Sequence, residues 1–216
     1  YLEDIAAFLA QLSRRWPGLP QVLYGHSMGA LLALAFTLTR RSSVVGVIAT
    51  SPALSSRVAE QHCKLLLVRC FGRLLPTLSI DNGLDLSQLS RDPAVQARVE
   101  ADPLCHRRVT TAWGLAMLQA IAMVEAHARR LPVPLLLLHG TDDAIAYPCG
   151  SERFAAAAPA ERVTLKLWEG FRHELHSDPE RQLVFQMMAA WLDQHLGMGG
   201  NKGAPAPGCR HQRHRP

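Results

Sequence analysis

Residues 21–36 read Gln21-Val22-Leu23-Tyr24-Gly25-His26-Ser27-Met28-Gly29-Ala30-Leu31-Leu32-Ala33-Leu34-Ala35-Phe36. The apolar run Val22-Leu23-Tyr24, bounded by Pro20 and a glycine, predicts a short buried strand. From Ala30 to Arg40 there is neither Gly nor Pro and strong helix formers dominate, which predicts a buried helix. Between them, Gly25-x-Ser27-x-Gly29 is the pattern of a nucleophile elbow, a strand-to-helix turn that exposes a serine hydroxyl. Such a turn is expected to need both glycines, because side chains there would strike the neighbouring strand and helix. Its strain is expected to hold the Ser27 hydroxyl clear of the sheet, at the positive end of the helix. The bare pattern arises by chance in roughly one chain in twenty of this length. The flanking strand and helix therefore carry the reading.

Upstream, Leu2, Ile5, Phe8, Leu9 and Leu12 recur with a helical period over 2–15 and stop at Pro17-Gly18. Downstream, Val44-Val45-Gly46-Val47-Ile48-Ala49 is apolar on both faces, as in a parallel sheet covered by helices. Strand patterns return at Leu135-Leu136-Leu137-Leu138 and Val163-Thr164-Leu165-Lys166-Leu167-Trp168, with helices near 149–158 and 179–196. Strands alternating with helices give an α/β fold around a mostly parallel sheet. Between the second and third strands no strand pattern appears. An apolar and basic stretch, Cys63 to Leu75, leads to a loop rich in Asp, Asn and Ser and then to a long helix around 107–129. This segment is too long for a plain connection and reads as a helical cap. The expected organisation is a core at 1–51 and 131–197, a cap at 52–130, and a disordered basic tail at 198–216.

A chain of 216 residues with 48% hydrophobic content can bury one sizeable core and a small cap. Of the formal charge of +5, four positive charges (Lys202, Arg210, Arg213, Arg215) fall beyond residue 200. The body is nearly neutral, which argues against a nucleic-acid partner. Five scattered cysteines without a C-x-x-C pair indicate neither a disulfide framework nor a zinc site. Reduced thiols fit a cytoplasmic protein. No apolar run has the length to span a bilayer. The chain opens at Tyr1 inside a helical pattern, so its N-terminus is expected to lie upstream. Oligomeric state is left open.

Ser27, an aspartate at 142–143 and His173 each follow a predicted strand, where open α/β sheets place their sites. Together they suit acyl transfer. An imidazole takes the serine proton as the oxygen attacks a carbonyl, and a carboxylate fixes the ring's tautomer. Asp143, third after Gly140, is favoured over Asp142, which is expected to cap the turn. His173 is favoured over His176. His26, His139 and the tail histidines are read as structural or solvated.

The residues resemble the monoacylglycerol lipase and lysophospholipase branch of the α/β-hydrolases, also described as serine aminopeptidase-like. The likeness rests on Gly25-His26-Ser27-Met28-Gly29, Ile48-Ala49-Thr50-Ser51-Pro52, Leu89-Ser90-Arg91-Asp92, Ala101-Asp102-Pro103-Leu104, Gly140-Thr141-Asp142-Asp143 and Glu169-Gly170-Phe171-Arg172-His173. It also matches the order Ser, Asp, His. The resemblance implies the C-terminal part of an α/β-hydrolase sheet with a helical cap insertion. It further implies a triad of Ser27, Asp143 and His173, a lipid-facing cap, no metal and no cofactor. Family members carry about four earlier strands, and a loop among them gives one of two oxyanion donors. Here only the backbone N–H of Met28 is assigned, the second donor is missing from the chain, and a truncated fragment with an open strand edge is expected. The expected substrate is a lipid ester with one long acyl chain and a small polar head, monoacylglycerol or lysophospholipid, with Leu66, Phe71 and Leu74 as its contacts. Lys64, Arg69 and Arg73 are placed to draw an anionic membrane surface or a phosphate head to the cap, for transient contact. The alternatives are a small-ester carboxylesterase and a non-catalytic domain that binds lipid or a partner.

Overall fold

The computed structural model describes residues 1–55 and 62–197. Four strands form one parallel sheet in the order β1-β2-β5-β6: β1 (Gln21–His26), β2 (Val44–Thr50), β5 (Leu135–Gly140) and β6 (Val163–Trp168). Each of the three connections between successive strands of the sheet carries at least one helix. This is the α/β architecture expected from the alternation of elements.

Every residue of β5 is buried. Leu135 and Leu137 face one side of the sheet, packed with Leu31, Leu34 and Phe36 of α2 (Met28–Thr39), Leu9 of α1 (Leu2–Arg15) and Phe154 of α6 (Pro148–Ala157). Leu136 and Leu138 face the other, against Val184 and Trp191 of α7 (Arg181–Leu196). Alternate residues thus enter two different cores, which is why the strand shows no polar face. Burying a leucine of this kind is worth about 1.5–3 kcal/mol. β1 is an edge strand, paired only with β2 among the described residues, and Tyr24 on it is exposed.

The described residues between β2 and β5 add no strand to this sheet. They carry α3 (His62–Phe71), α4 (Pro93–Ala101) and α5 (Thr111–His127). They also hold a two-stranded antiparallel ribbon of β3 (Ser79–Asp81) and β4 (Arg108–Thr110), where the sequence predicted helices and loop alone. Strands of three residues are too short to show a period-two pattern. The tail and the side chain of Lys64 lie outside the described residues. Among those described, no helix is long and apolar enough to cross a membrane.

Candidate active site

β1 ends at His26 and α2 begins at Met28, which leaves Ser27 in the turn at φ 53°, ψ −117°. A non-glycine residue pays about 1–3 kcal/mol for such a conformation, so neighbours must impose it. The Ser27 N–H donates to the Thr50 carbonyl at 2.9 Å, and its own carbonyl accepts from Leu31 and Ala53. The turn is tight at Gly25, where a Cβ would lie 2.4 Å from the Gly29 carbonyl oxygen. At Gly29 a Cβ would meet nothing within 4 Å, so the expected clash at that second glycine is absent. The strand stops at Gly25-His26, and only the residue on the strand side is crowded by the helix it precedes.

The hydroxyl of Ser27 reaches His173 in the loop after β6, with Oγ and Nε2 2.9 Å apart. The other ring nitrogen, Nδ1, is 2.7 Å from Oδ2 of Asp143, in the loop after β5. An ionised carboxylate can only accept, so Nδ1 carries the proton and Nε2 faces Ser27 with its lone pair. The carboxylate is held on both oxygens. Oδ1 accepts the backbone N–H groups of Ile145 and Ala146 at 2.9 Å, so Asp143 itself caps the turn, the role expected of Asp142. Asp142 is exposed, and its carboxylate accepts from the Thr141 hydroxyl at 3.3 Å.

A second histidine also serves the carboxylate. His139, fully buried, has Nε2 3.1 Å from Asp143 Oδ2 and 2.7 Å from the Ala146 carbonyl. Both are acceptors, so Nε2 bears the proton and Nδ1 accepts from the Ser151 hydroxyl at 2.7 Å. Burial alone would raise the Asp143 pKa. The hydrogen bonds from His139 and His173 overcome it and hold the carboxyl well below its ordinary range. The two loops approach closely at Gly140, where a Cβ would sit 2.2 Å from the Phe171 carbonyl oxygen.

The His26 ring packs against both His173, tilted by 56°, and His176, edge to face at 80°, with ring centroids 4.8 Å away in each case. Burial, then the neighbouring His173 and His176, push its pKa down to about 3, so it is neutral at physiological pH. His176 touches neither Ser27 nor Asp143 and lies 4.0 Å from Glu174. Ser51, also at positive φ (44°), donates its buried hydroxyl to the His173 carbonyl at 2.7 Å. Met28 opens α2, so its backbone N–H has no acceptor within the helix and adjoins Ser27.

Ser27 and His173 line a cavity of about 480 Å³. Its apolar wall comes from Leu65 and Val68 of α3, Ile80 and Val109 of the ribbon, and Trp113, Met117, Leu118 and Ile121 of α5. Its polar lining is Asp81, Asn82, Asp85, Gln88 and Glu174. Leu66, Phe71 and Leu74 are not in the wall; they are 64, 42 and 74% exposed. For Leu66 the reason is helical phase: α3 turns positions 65 and 68, three apart, inward and leaves 66 outside, while Phe71 is the last residue of the helix and Leu74 lies beyond it. Among the described residues no group of three His, Cys, Asp or Glu is arranged to hold a metal ion.

The comparisons with known proteins agree with this geometry. A profile of the family described as serine aminopeptidase, S33, matches residues 1–180. Human monoglyceride lipase is 30% identical over 209 residues, which cover 95% of this chain and 69% of that protein. An abhydrolase domain-containing protein of Dictyostelium discoideum is 31% identical over 185 residues, 85% of this chain and 20% of that one. The crystal structure of a Paleococcus ferrophilus monoacylglycerol lipase superposes with a TM-score of 0.82 at 33% identity, covering 90% of this chain and 74% of that one. This chain spans only part of each relative's length. Strand order, the strained serine and the profile match point the same way: the chain belongs to the serine aminopeptidase S33 family of α/β-hydrolases.

Proposed function

We propose that the chain is a carboxylic ester hydrolase that cleaves monoacyl lipid esters through an acyl-enzyme on Ser27. The observation that carries this reading is the hydrogen-bond chain Ser27–His173–Asp143 opening into an apolar cavity. Ser27 Oγ attacks the acyl carbonyl while His173 Nε2 takes its proton. The oxyanion so formed meets the N–H of Met28, the one donor we assign among the described residues. Asp143 stabilises the imidazolium, which then protonates the departing alcohol oxygen. Water attacks the acyl-Ser27 ester with its proton passing to Nε2, and the carboxylic acid leaves as the Ser27 hydroxyl is restored.

A volume of about 480 Å³ suits a ligand of lipid size, since small-molecule sites span roughly 300–1,000 Å³. We read residues 52–130 as the cap that supplies most of its wall. The polar lining favours a neutral head. It holds the carboxylates Asp81, Asp85 and Glu174 and, among the described residues, no Lys or Arg. Arg69 and Arg73 are exposed and outside the cavity. A glycerol head fits this lining and a phosphate does not, so monoacylglycerol is proposed over lysophospholipid. The exposed Leu66, Phe71, Leu74 and Leu75, with those two arginines, support transient contact of the cap with a membrane surface.

A fluorophosphonate probe is expected to label wild-type protein and to spare Ser27→Ala. Turnover of p-nitrophenyl esters is expected to rise with acyl length beyond butyrate, and monoacylglycerol to be cleaved faster than lysophosphatidate. A steady fall beyond butyrate would mean a small-ester esterase. Absence of labelling would mean a binding domain.

A further inference from the structure

The motif Leu89-Ser90-Arg91-Asp92 touches no reacting atom, yet it lies against the loop that carries His173. That loop, between β6 and α7, contains only one short 3-10 turn, Leu175–Ser177, so its own backbone does little to fix its shape. Besides its bonds to the loop after β5 and to Ser51, it is held by the segment just before α4. Arg172 donates to the carbonyls of Ser87 at 2.7 Å and Ser90 at 3.1 Å. The N–H of Glu174, next to His173, donates to the Leu89 carbonyl at 2.7 Å. The Ser90 hydroxyl donates to the Ser177 carbonyl at 2.9 Å.

Arg91 closes the set. Its Nε and Nη2 donate to the two oxygens of Asp178 at 2.8 and 2.6 Å, a two-pronged pair that fixes orientation as well as distance. Asp178 is 1% exposed, and its carboxylate also accepts the Glu180 N–H. The guanidinium bonds Glu180 as well and lies 4.5 Å over the ring of Phe171, two residues before His173. One side chain therefore grips the histidine loop both before and after the imidazole. Gln88 and Leu89 of the same segment line the cavity.

We propose that Arg91 is a positioning residue for His173: through Asp178 and Phe171 it sets the height of the imidazole over Ser27. The segment 87–91 thereby ties the cavity wall to the base. This rests on the esterase reading for its kinetic consequence, not for its geometry. Misplacing a base by about 1 Å costs on the order of a hundredfold in rate. Loosening the loop is thus expected to lower turnover while leaving ground-state binding alone.

The test compares Arg91→Ala and Arg91→Lys with wild type on p-nitrophenyl butyrate, a soluble ester that does not need the full cavity. In Arg91→Ala, kcat is expected to fall roughly ten- to a hundredfold, with KM within about twofold and an unchanged circular dichroism spectrum. Arg91→Lys is expected to recover part of the loss, and millimolar guanidinium to rescue Arg91→Ala in part. The downfield proton resonance of the His173–Asp143 hydrogen bond, identified by its loss in His173→Ala, is expected to broaden in Arg91→Ala. An unchanged kcat would overturn the proposal. So would a loss of kcat that tracks the unfolded fraction and resists guanidinium. If wild-type Ser27 takes no fluorophosphonate, the esterase reading falls by itself. The resonance then decides: a signal as sharp in Arg91→Ala as in wild type overturns the positioning role, and a broadened one supports it.

Discussion

Asp143 is the residue on which most of the local chemistry converges. Two histidines, two backbone N–H groups and one turn meet on a single buried carboxylate. Replacing His139 by Leu strips that carboxylate of one donor and leaves the Ser151 hydroxyl and the Ala146 carbonyl without their ring partner. The expected cost is about 2–4 kcal/mol, read from the urea midpoint. Acid is a second probe. The His26 pKa falls from 6.5 to about 3 on folding, so its contribution to stability is complete above 6.5 and declines as pH drops toward 3. Asp143, held below its ordinary 3.8, stabilises above that value and loses its contribution as pH falls further. Both slopes have the same sign, so the midpoint should fall steadily on acidification. His26→Phe should flatten the upper part, and an unchanged slope in that variant would refute the assignment. That Ser27, Asp143 and His173 would meet was legible in the sequence, because each follows a strand and the residue types form a hydroxyl–imidazole–carboxylate chain. The second role of His139 was not legible. Its partners Ser151 and Ala146 come near only once the loop after β5 has folded, and a lone buried histidine carries no mark of what it bonds.

The elbow is where two elements impose strain on a residue between them, and its two glycines turn out to be unequal. Gly25→Ala drives a methyl into backbone at 2.4 Å and is expected to cost at least about 3 kcal/mol or prevent folding. Gly29→Ala places a methyl in open space on a helix, where alanine is favoured over glycine by roughly 1 kcal/mol. Its melting temperature should equal or exceed that of wild type; a fall comparable to that of Gly25→Ala would sink this account. The five-residue pattern does not contain this asymmetry. The main strands were readable because burial on both faces writes an unbroken apolar run, as in Leu135-Leu136-Leu137-Leu138. The ribbon at Ser79–Asp81 and Arg108–Thr110 was not, because its pairing joins short pieces far apart in the chain. The phase of α3 was unreadable for a related reason. In Lys64-Leu65-Leu66-Leu67-Val68, apolar residues run on consecutive positions, and only packing against α5 selects Leu65 and Val68 for the cavity.

At the scale of the molecule, the apolar surface left outside the cavity is the feature to test. Leu66 and Leu74 are exposed on the same insertion that walls the cavity, with Arg69 between them in sequence. Wild-type protein is expected to float with vesicles that contain phosphatidylglycerol, and Leu66→Ser/Leu74→Ser to stay in the soluble fraction. Turnover of p-nitrophenyl butyrate should be the same for both. Equal flotation of the two proteins would overturn the proposed membrane contact of these leucines. The hydrogen bond between Ser27 and His173 joins residues 146 positions apart. A contact so remote along the chain forms late, because the entropy of closing the loop must be met before the bond can form. Reactivity of Ser27 toward a fluorophosphonate thus serves as a stopwatch for folding: on dilution from denaturant it should return after the helical signal has recovered, marking the moment when the two ends of the sheet's connectivity first register with one another.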